Sequence, residues 1–572
     1  MKSSRLLLSA LSLLLALFVY FVPNERFPNS ADDWSYLLQA RLFASGHAYA
    51  QDALYDRAHP LHQYLGTNCV TDYQGRRFSK YPPGWPLLLA AGSAAGAEWL
   101  VAPLLGAVLV FLVLVDVERR VGSEWVKPAW LLLALCAFFT YTLQSFRSHT
   151  ATMVCLFGAF LVYDGASVRG ATTQSGEMGV GQDPADQTRW RVFASGTLVG
   201  YVSLIRYVDW IPLALWIAYD LLRQPPRRRV GAPARRVARL ALFAVGFALV
   251  ASGNLLYDAL LSGHPFATPT ALNGAAALSL HDQLVVSWRG FVVTGVRLGA
   301  VLYGFPPVMV LLARRYWRRS QFKVNAALFL MSAGVYFFYV GAIGGPGPRY
   351  LAAYFPFLVV ATVDAWRRLY VEDAGRARRF WRYAIVAQIL CSIVFAVIET
   401  RRVYERNDLA RAVGRLAPGR KIVLLKTGPR GETWADFTRN PPALASADVL
   451  YFGWGDGDGV GLDRLIERFP DRRVFIYDYP GVIYPRPARP NARAGPVHSQ
   501  RRAASGSTVP QKRVVRHVES GRDVAPQEFF HARIGLEGGR HVNLPDVRSA
   551  VGQQSHQREP LPVLHGGDDG RS

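Results

Sequence analysis

Apolar residues in this chain fall into long blocks, separated by short basic stretches or by longer polar and aromatic ones. A helix crossing a bilayer needs about 20 predominantly apolar residues, with a range of about 17–25. Blocks that meet or approach this length lie at 6–22, 86–117, 128–146, 150–166, 192–207, 208–222, 238–261, 291–313, 323–343, 350–366 and 380–398. Counting 86–117 as one crossing, entered through a short interfacial helix from Pro86 to Ala97, gives about 11 spans. The pair at 192–222 is interrupted by Arg206 and Asp209, and reads as two short spans rather than one long core helix. The first block follows Lys2 and Arg5 as a signal peptide would, but PNERFPNSADD after it offers no small-residue cleavage site, so an uncleaved span is expected. The pattern predicts a mainly α fold, a polytopic membrane helical bundle.

Charge refines this picture. Only 19% of residues are charged, against 51% hydrophobic, yet 65 Lys and Arg outnumber 41 Asp and Glu and give a net charge of +24. A plain soluble enzyme does not have this profile. Basicity of this size fits either a nucleic-acid binder or the cytoplasmic loops of a membrane protein. Its distribution decides. Arg223, Arg227, Arg228, Arg229, Arg235, Arg236 and Arg239 fill one short loop. Arg314, Arg315, Arg318, Arg319 and Lys323 fill a second, and Arg367, Arg368, Arg376, Arg378, Arg379 and Arg382 a third. With about 11 spans and the N-terminus in the cytoplasm, all three fall on the cytoplasmic side, so no nucleic-acid partner is called for. The expected setting is the cytoplasmic (inner) membrane, with 23–85 and everything after 398 outside.

The first outer loop, 23–85, is long enough to be functional in its own right. The membrane domain covers 1–400. Beyond it, KIVLLK (421–426), DVLYFG (448–453) and RRVFIYDY (472–479) read as strands, with LDRLIERF (462–469) as a helix between the last two. Residues 401–485 are therefore expected to form a small extracytoplasmic α/β module, and 486–572, rich in Arg, Gly, Pro, Gln and Ser, a disordered tail. Four cysteines make no disulfide framework, and three of them sit in apolar runs; Cys69 does not.

Chemistry concentrates at SADDWSYLLQARLFASG, from Ser30 to Gly46. Asp32 and Asp33 open a segment in which Trp34, Leu37, Leu38 and Leu42 recur at helical spacing, as in a helix lying flat in the interface. Two readings stand side by side: acids at a helix start stabilise it as caps, or they are reactive carboxylates. The loop closes with Lys80-Tyr81-Pro82-Pro83-Gly84-Trp85-Pro86. A lysine there lies at headgroup level, either as an anchor or as a phosphate ligand. Isolated cations recur at the outer ends of other spans: Arg147 and His149, Arg206, and Arg349. Ionisable groups at membrane depth are functional candidates by default, although each alone also reads as a snorkelling anchor.

Asp32-Asp33-Trp34-Ser35-Tyr36 resembles the D-[DE]-x-x-Y first-loop motif of the GT-C membrane glycosyltransferases, a group that includes protein O-mannosyltransferases and the lipid A aminoarabinose transferase. KYPPGWPLLLA is similar to the segment that closes their first loop. GNLLYDALLSGHPFATP (253–269) resembles their G-x-P-F segment, and GPRYLAAYFPFL (347–358) their P-R-Y segment. The resemblance covers about residues 1–400, in matching order. The first loop is longer here than in the aminoarabinose transferase, and Asp33 stands where Glu is frequent.

The resemblance implies inverting sugar transfer from a polyprenyl-phosphate donor on the outer face of the membrane. It implies Asp32 as general base, with Asp33 positioning the acceptor, orienting Asp32 or holding a divalent cation, the one cofactor left open. Lys80 and Arg349, and more distantly Arg206 and His149, would hold the donor phosphate. Tyr36, Tyr81, Pro82 and Tyr350 would support the site. The acceptor is a lipid, a glycan or a protein, and membrane lipids are the remaining partner. The rival is a transporter or flippase of lipid-linked sugars, which would place its ionisable groups near mid-span.

Overall fold

The computed structural model describes residues 2–26, 28, 30–65, 69–172, 184–223, 232–273, 320–337, 347–426, 439–454, 459–478 and 482–485. These belong to one compact unit that extends to Arg489. The expected span at 291–313, parts of two of the three basic loops, and the tail at 486–572 lie outside the described residues.

The described chain is mainly helical. Helices α1 (Lys2–Phe21), α2 (Ala31–Ala44), α3 (Gly84–Ala94), α4 (Glu98–Arg120), α5 (Val126–Ala134), α6 (Ala137–Gln144), α7 (His149–Thr172), α8 (Pro184–Ile205), α9 (Ile211–Arg223) and α10 (Ala232–Ser262) come first. Further helices follow at Ser320–Phe337, Phe355–Glu372 and Ala374–Arg406. Among the described residues, four segments are long and apolar enough to cross a membrane: Ser3–Phe21, Glu98–Arg120, Ala234–Ser262 and Ala374–Gly414. The block expected as one span at 128–146 is instead α5 and α6, bent by 76° at the Leu135–Cys136 break, and counts as a fifth span at most. Ser392 and Gln388 donate to the Leu135 carbonyl that the bend frees. Other expected spans appear as shorter or more polar helices, including the apolar stretches His149–Asp164 and Val324–Tyr336. The 192–222 region does form two helices, α8 and α9, parted at Arg206–Trp210.

Packing within the bundle depends on close backbone approach. A Cβ placed on Gly196 or Gly200 of α8 would lie 2.2 or 2.5 Å from the carbonyl oxygens of Phe243 and Phe247 on α10. Small residues of this kind let helices associate in lipid, where apolar burial alone gives little drive. Outward-facing apolar side chains point to lipid around the bundle. Leu7, Leu14 and Phe18 on α1, Leu249 and Leu256 on α10, and Leu390, Ile393 and Val397 on the Ala374–Arg406 helix are all exposed. Faces this apolar are not left to water, and the chain is an integral membrane protein.

The bundle has two chemically different ends. At one, Arg5 pairs with Glu118 at 2.8 Å and Arg119 with Asp164 at 3.0 Å. Trp125 meets Trp366, which stacks on Trp381, so the basic 367–382 segment gathers at the same end as the N-terminus. At the other end lie the first loop and the residues after 400, joined by Glu25 to Asn407 and Arg411, each at 2.9 Å.

That second end is built from two sheets and one shared core. Within the loop, β1 (Ala50–Gln51), β3 (Arg76–Ser79) and β2 (Val70–Tyr73) form a three-stranded antiparallel sheet. Its β2–β3 hairpin turns at Gln74 and Gly75, φ +50° and +74°, the doubly positive geometry of a two-residue hairpin turn. Farther along, β4 (Lys421–Lys426) pairs in parallel with β5 (Val449–Trp454) and β6 (Arg473–Asp478), and β7 (Val482–Pro485) runs antiparallel on β6. Leu38, Leu42, Leu54 and Tyr55 of the loop share one hydrophobic cluster with Ile422, Leu424, Leu450 and Phe452 of this sheet. Helix α2 is therefore not a surface helix lying flat in the interface. Its other face, Tyr36, Leu37 and Ala40, packs on Trp85, Leu89 and Phe146. An apolar stripe says that a helix buries a face, not against what.

Candidate active site

Local chemistry separates the two neighbouring carboxylates. Ser30 is the N-cap of α2, and its hydroxyl oxygen accepts from the Asp33 amide at 3.2 Å. The same hydroxyl donates to Asp33 Oδ2 at 2.9 Å. Asp33 thus closes the cap, stabilising the helix start by roughly 0.5–2 kcal/mol together with Ser30. It is 1% exposed, and Arg147 Nε stands 4.0 Å from its Oδ1. Asp32, one residue earlier on the first turn, takes no part in the cap contacts and is half-buried.

Asp32 Oδ1 accepts from the Tyr81 hydroxyl and from Cys69 Sγ, the latter at 3.1 Å. Burial, reinforced by the Asp32 carboxylate, pushes the Tyr81 phenol well above its ordinary value. The same two causes push the Cys69 thiol up to about 12. Both groups stay protonated near neutral pH, so both remain donors and Asp32 the acceptor. Cys69 also ties the site together through its backbone: its carbonyl accepts from Ser35 Oγ on α2 and from the Lys80 amide, the latter at 3.3 Å. The Lys80 ammonium lies 5.3 Å from the centroid of the Tyr81 ring. Among the described residues it makes no ion pair. Carboxylate, phenol, thiol and ammonium therefore sit around one point.

The KYPPGWP segment holds this arrangement. Pro82 and Pro83 are buried and lead into α3. Gly84 follows because a Cβ there would sit 2.7 Å from the Leu204 backbone at the end of α8. Tyr201 of α8 donates to the Gly84 carbonyl at 2.9 Å, and Trp85 Nε1 donates to the Phe146 carbonyl. The loop before α7 is thereby pinned beside the carboxylates. Tyr36 stacks on Tyr81 with centroids 4.6 Å apart and donates to Ser148 Oγ at 3.1 Å.

His149 and Arg206 are brought together, with Arg206 Nη1 2.8 Å from His149 Nδ1. Arg206 also pairs with Asp209 at 2.6 Å and donates to the Tyr336 hydroxyl at 3.0 Å, and Tyr336 in turn donates to Asp209. This cluster joins the first through Ser148 and Tyr36, but its cation already has a carboxylate partner. Arg349 and Tyr350 belong to the 3-10 segment Gly347–Tyr354, and their side chains lie outside the described residues. Tyr354 of that segment donates to the Asp209 carbonyl at 2.7 Å, which anchors it at the same cluster.

Cys69, Ser148, Asp209 and Tyr336 were not among the residues the sequence offered for the site. Cys69 carried one signal, being the cysteine outside an apolar run. Among the described residues no three His, Cys, Asp or Glu side chains gather. Asp33 is engaged by Ser30 and Arg147, and the thiol beside Asp32 is protonated.

No protein-family model and no curated protein matches this sequence. Among solved structures, the chain is similar to ArnT from Cupriavidus metallidurans bound to undecaprenyl phosphate, at 13% identity and a TM-score of 0.46, over 82% of this chain and 92% of that one. The apo state of the same protein matches at 15% identity and 0.43, over 81% and 88%. The Archaeoglobus fulgidus oligosaccharyltransferase tethered with an acceptor peptide matches at 11% and 0.37, over 83% and 64%.

Proposed function

We propose that this chain is a membrane glycosyltransferase of the GT-C type, which moves a sugar with inversion from a polyprenyl-phosphate donor to an acceptor at the membrane's outer face. The observation that carries the reading is the half-buried Asp32 carboxylate, fixed by two neutral donors, beside a Lys80 that has no ion pair among the described residues. Asp32 acts as the base, taking the acceptor's proton as its oxygen or nitrogen attacks the anomeric carbon. The bond from that carbon to the phosphate oxygen breaks on the opposite side, and polyprenyl phosphate leaves as a stable anion. No strong acid is needed. A cation that meets the growing phosphate charge suffices; Lys80 is that cation, and the motif resemblance adds Arg349 to the same role. Tyr81 and Cys69 hold the base in one orientation. The apolar bundle takes the prenyl tail. The distribution of Lys and Arg supports a cytoplasmic basic end, with the two-sheet end and the site outside.

The test is Asp32→Asn in membranes supplied with a labelled polyprenyl-phosphate sugar. Transfer is lost while donor binding stays. Retained transfer removes Asp32 as the base, and continued lipid movement without any product leaves a transporter.

A further inference from the structure

We infer that the outward face of the Ala374–Arg406 helix, at the basic end of the bundle, binds an anionic phospholipid. Arg376, Arg379 and Arg382 hold its phosphate, and the apolar stripe that continues from Tyr383 takes an acyl chain. The inference needs only the membrane setting and stands apart from the transfer reaction.

The inward face of this helix fixes which side chains look out. Ala377 and Ala384 are buried in the bundle core, and Trp381 packs against it. Trp381 also stacks on Trp366, and Gln388 donates to the Leu135 carbonyl at 3.3 Å. Positions 377, 381, 384 and 388 make one stripe at helical spacing. Half a turn round the helix lie Arg379, Tyr383, Val386, Leu390, Ile393 and Val397, at the same spacing and all exposed. Arg376 and Arg382 stand three residues to either side of Arg379, as neighbours on the helix surface, and both are exposed. Arg378 turns aside and lies 5.8 Å from the centroid of the Tyr370 ring.

Among the described residues, Arg376, Arg379 and Arg382 make no ion pair. The acids nearby are few. Asp364 is engaged by Arg367 and Arg368, at 3.6 and 3.1 Å. Asp373 caps the helix, accepting from the Arg376 amide at 2.9 Å. Glu372 is the one other acid between Asp364 and Tyr383, a stretch with six arginines. Like charges on successive turns repel unless an anion joins them. Guanidinium forks match phosphate oxygens in geometry. A zwitterionic headgroup brings an ammonium that the cluster repels, whereas an anionic one does not. Depth agrees with charge. From Tyr383 to Ile393 the helix rises about 15 Å, the share of one leaflet in a hydrocarbon core of about 30 Å. Phosphate and acyl chain so meet their partners together. A second copy of the chain is the poorer occupant, because two copies inserted the same way would set cluster against cluster.

The full-length protein in an uncharged detergent is titrated with labelled phosphatidylglycerol and, as the zwitterionic control, labelled phosphatidylcholine. Phosphatidylglycerol should bind more tightly by about tenfold or more. Arg379→Gln combined with Arg382→Gln should remove about tenfold or more of that affinity, the scale of two basic residues at a charged surface, and leave phosphatidylcholine binding as it was. Arg379→Lys combined with Arg382→Lys, which keeps the charge, should retain most of it. Should the double glutamine variant fold poorly, Arg379→Gln alone repeats the test. Equal binding of the two lipids overturns the inference. So does a preference that survives the glutamine substitutions, or free glycerol phosphate competing as well as the lipid, which would leave the apolar stripe without a role. Efficient disulfide cross-linking of Leu390→Cys between copies in native membranes would give the face to a second copy and overturn it as well.

Discussion

Two polar clusters lie within one loop, a few residues apart, and they treat charge in opposite ways. In the first, Asp72 and Arg77 face each other across the β2–β3 hairpin and are joined at 2.7 and 2.6 Å, with His62 at 3.0 Å on the same carboxylate. Tyr55 covers the guanidinium face at 4.5 Å. Both charges are buried, and each is neutralised by the other. In the second cluster, Asp32 is held by a phenol and a thiol, and the nearby ammonium rests over an aromatic ring. The charges there are near each other but are not spent on each other. A pair that completes itself serves the fold. A pair that stays apart has room for a substrate whose own charges finish the arrangement.

The strongest way to break this comparison is Asp32→Asn. A positioned general base is worth about 10²–10⁴-fold in rate, so transfer measured with labelled donor should fall by that order while thermal stability hardly moves. Arg77→Leu should do the reverse. It leaves the buried Asp72 carboxylate with His62 alone, a loss approaching about 3–5 kcal/mol of stability, seen as a lower melting temperature. Asp72 itself reports on the pair. Burial alone would raise its pKa, but the Arg77 guanidinium and the His62 hydrogen bond hold it below the usual value. A depressed carboxyl contributes stability above its unfolded pKa and loses it as pH falls through the folded one, so the hairpin is sensitive only to strong acid. Were Arg77→Leu to leave melting unchanged and abolish transfer, the assignment of the two clusters would have to be exchanged.

The two clusters were not equally legible in the amino-acid order. Asp32 and Asp33 stood out because adjacent acids opening an apolar helical pattern are unusual and matched a motif. Which of them caps the helix depends on Ser30, two residues before Asp32, whose hydroxyl chooses Asp33. The hairpin was missed, although Gln74-Gly75 is a turn signal. Asp72, Arg76 and Arg77 carry no motif in the sequence, and only the register that sets Asp72 opposite Arg77 turns two charges into an interior pair. Long apolar helices such as α1 and α10 were plain from their length. The bend between α5 and α6 was not, since Leu135 and Cys136 continue an apolar run and the groups that satisfy the bend come from a helix more than 250 residues later. Strands β4, β5 and β6 were visible as short apolar runs. Their packing on Leu38 and Leu42 was not, because a helical stripe looks the same against lipid and against a sheet.

Smaller effects sharpen the comparison. Lys80→Ala removes the cation that meets the donor phosphate, so affinity for the polyprenyl-phosphate donor should fall by about tenfold to a hundredfold, the scale of a charge-assisted contact of about 1.5–3 kcal/mol. Its ammonium has no ion pair among the described residues, so stability should be nearly unaffected. Unchanged donor affinity would remove Lys80 from the phosphate site.

The finest test is Tyr81→Phe, which deletes one oxygen and keeps the ring stacked on Tyr36 and under Lys80. Asp32 then keeps the Cys69 thiol as donor but loses the phenol, and the carboxylate gains rotational freedom. One neutral hydrogen bond is worth about 0.5–1.5 kcal/mol, so kcat should fall by roughly threefold to tenfold. The Michaelis constant for the donor should stay the same, because Lys80 and its aromatic rest are intact. If the donor constant rose and kcat held, Tyr81 would be a donor contact in its own right, and the line drawn here between a group that orients the base and a group that binds phosphate would have to move by one residue.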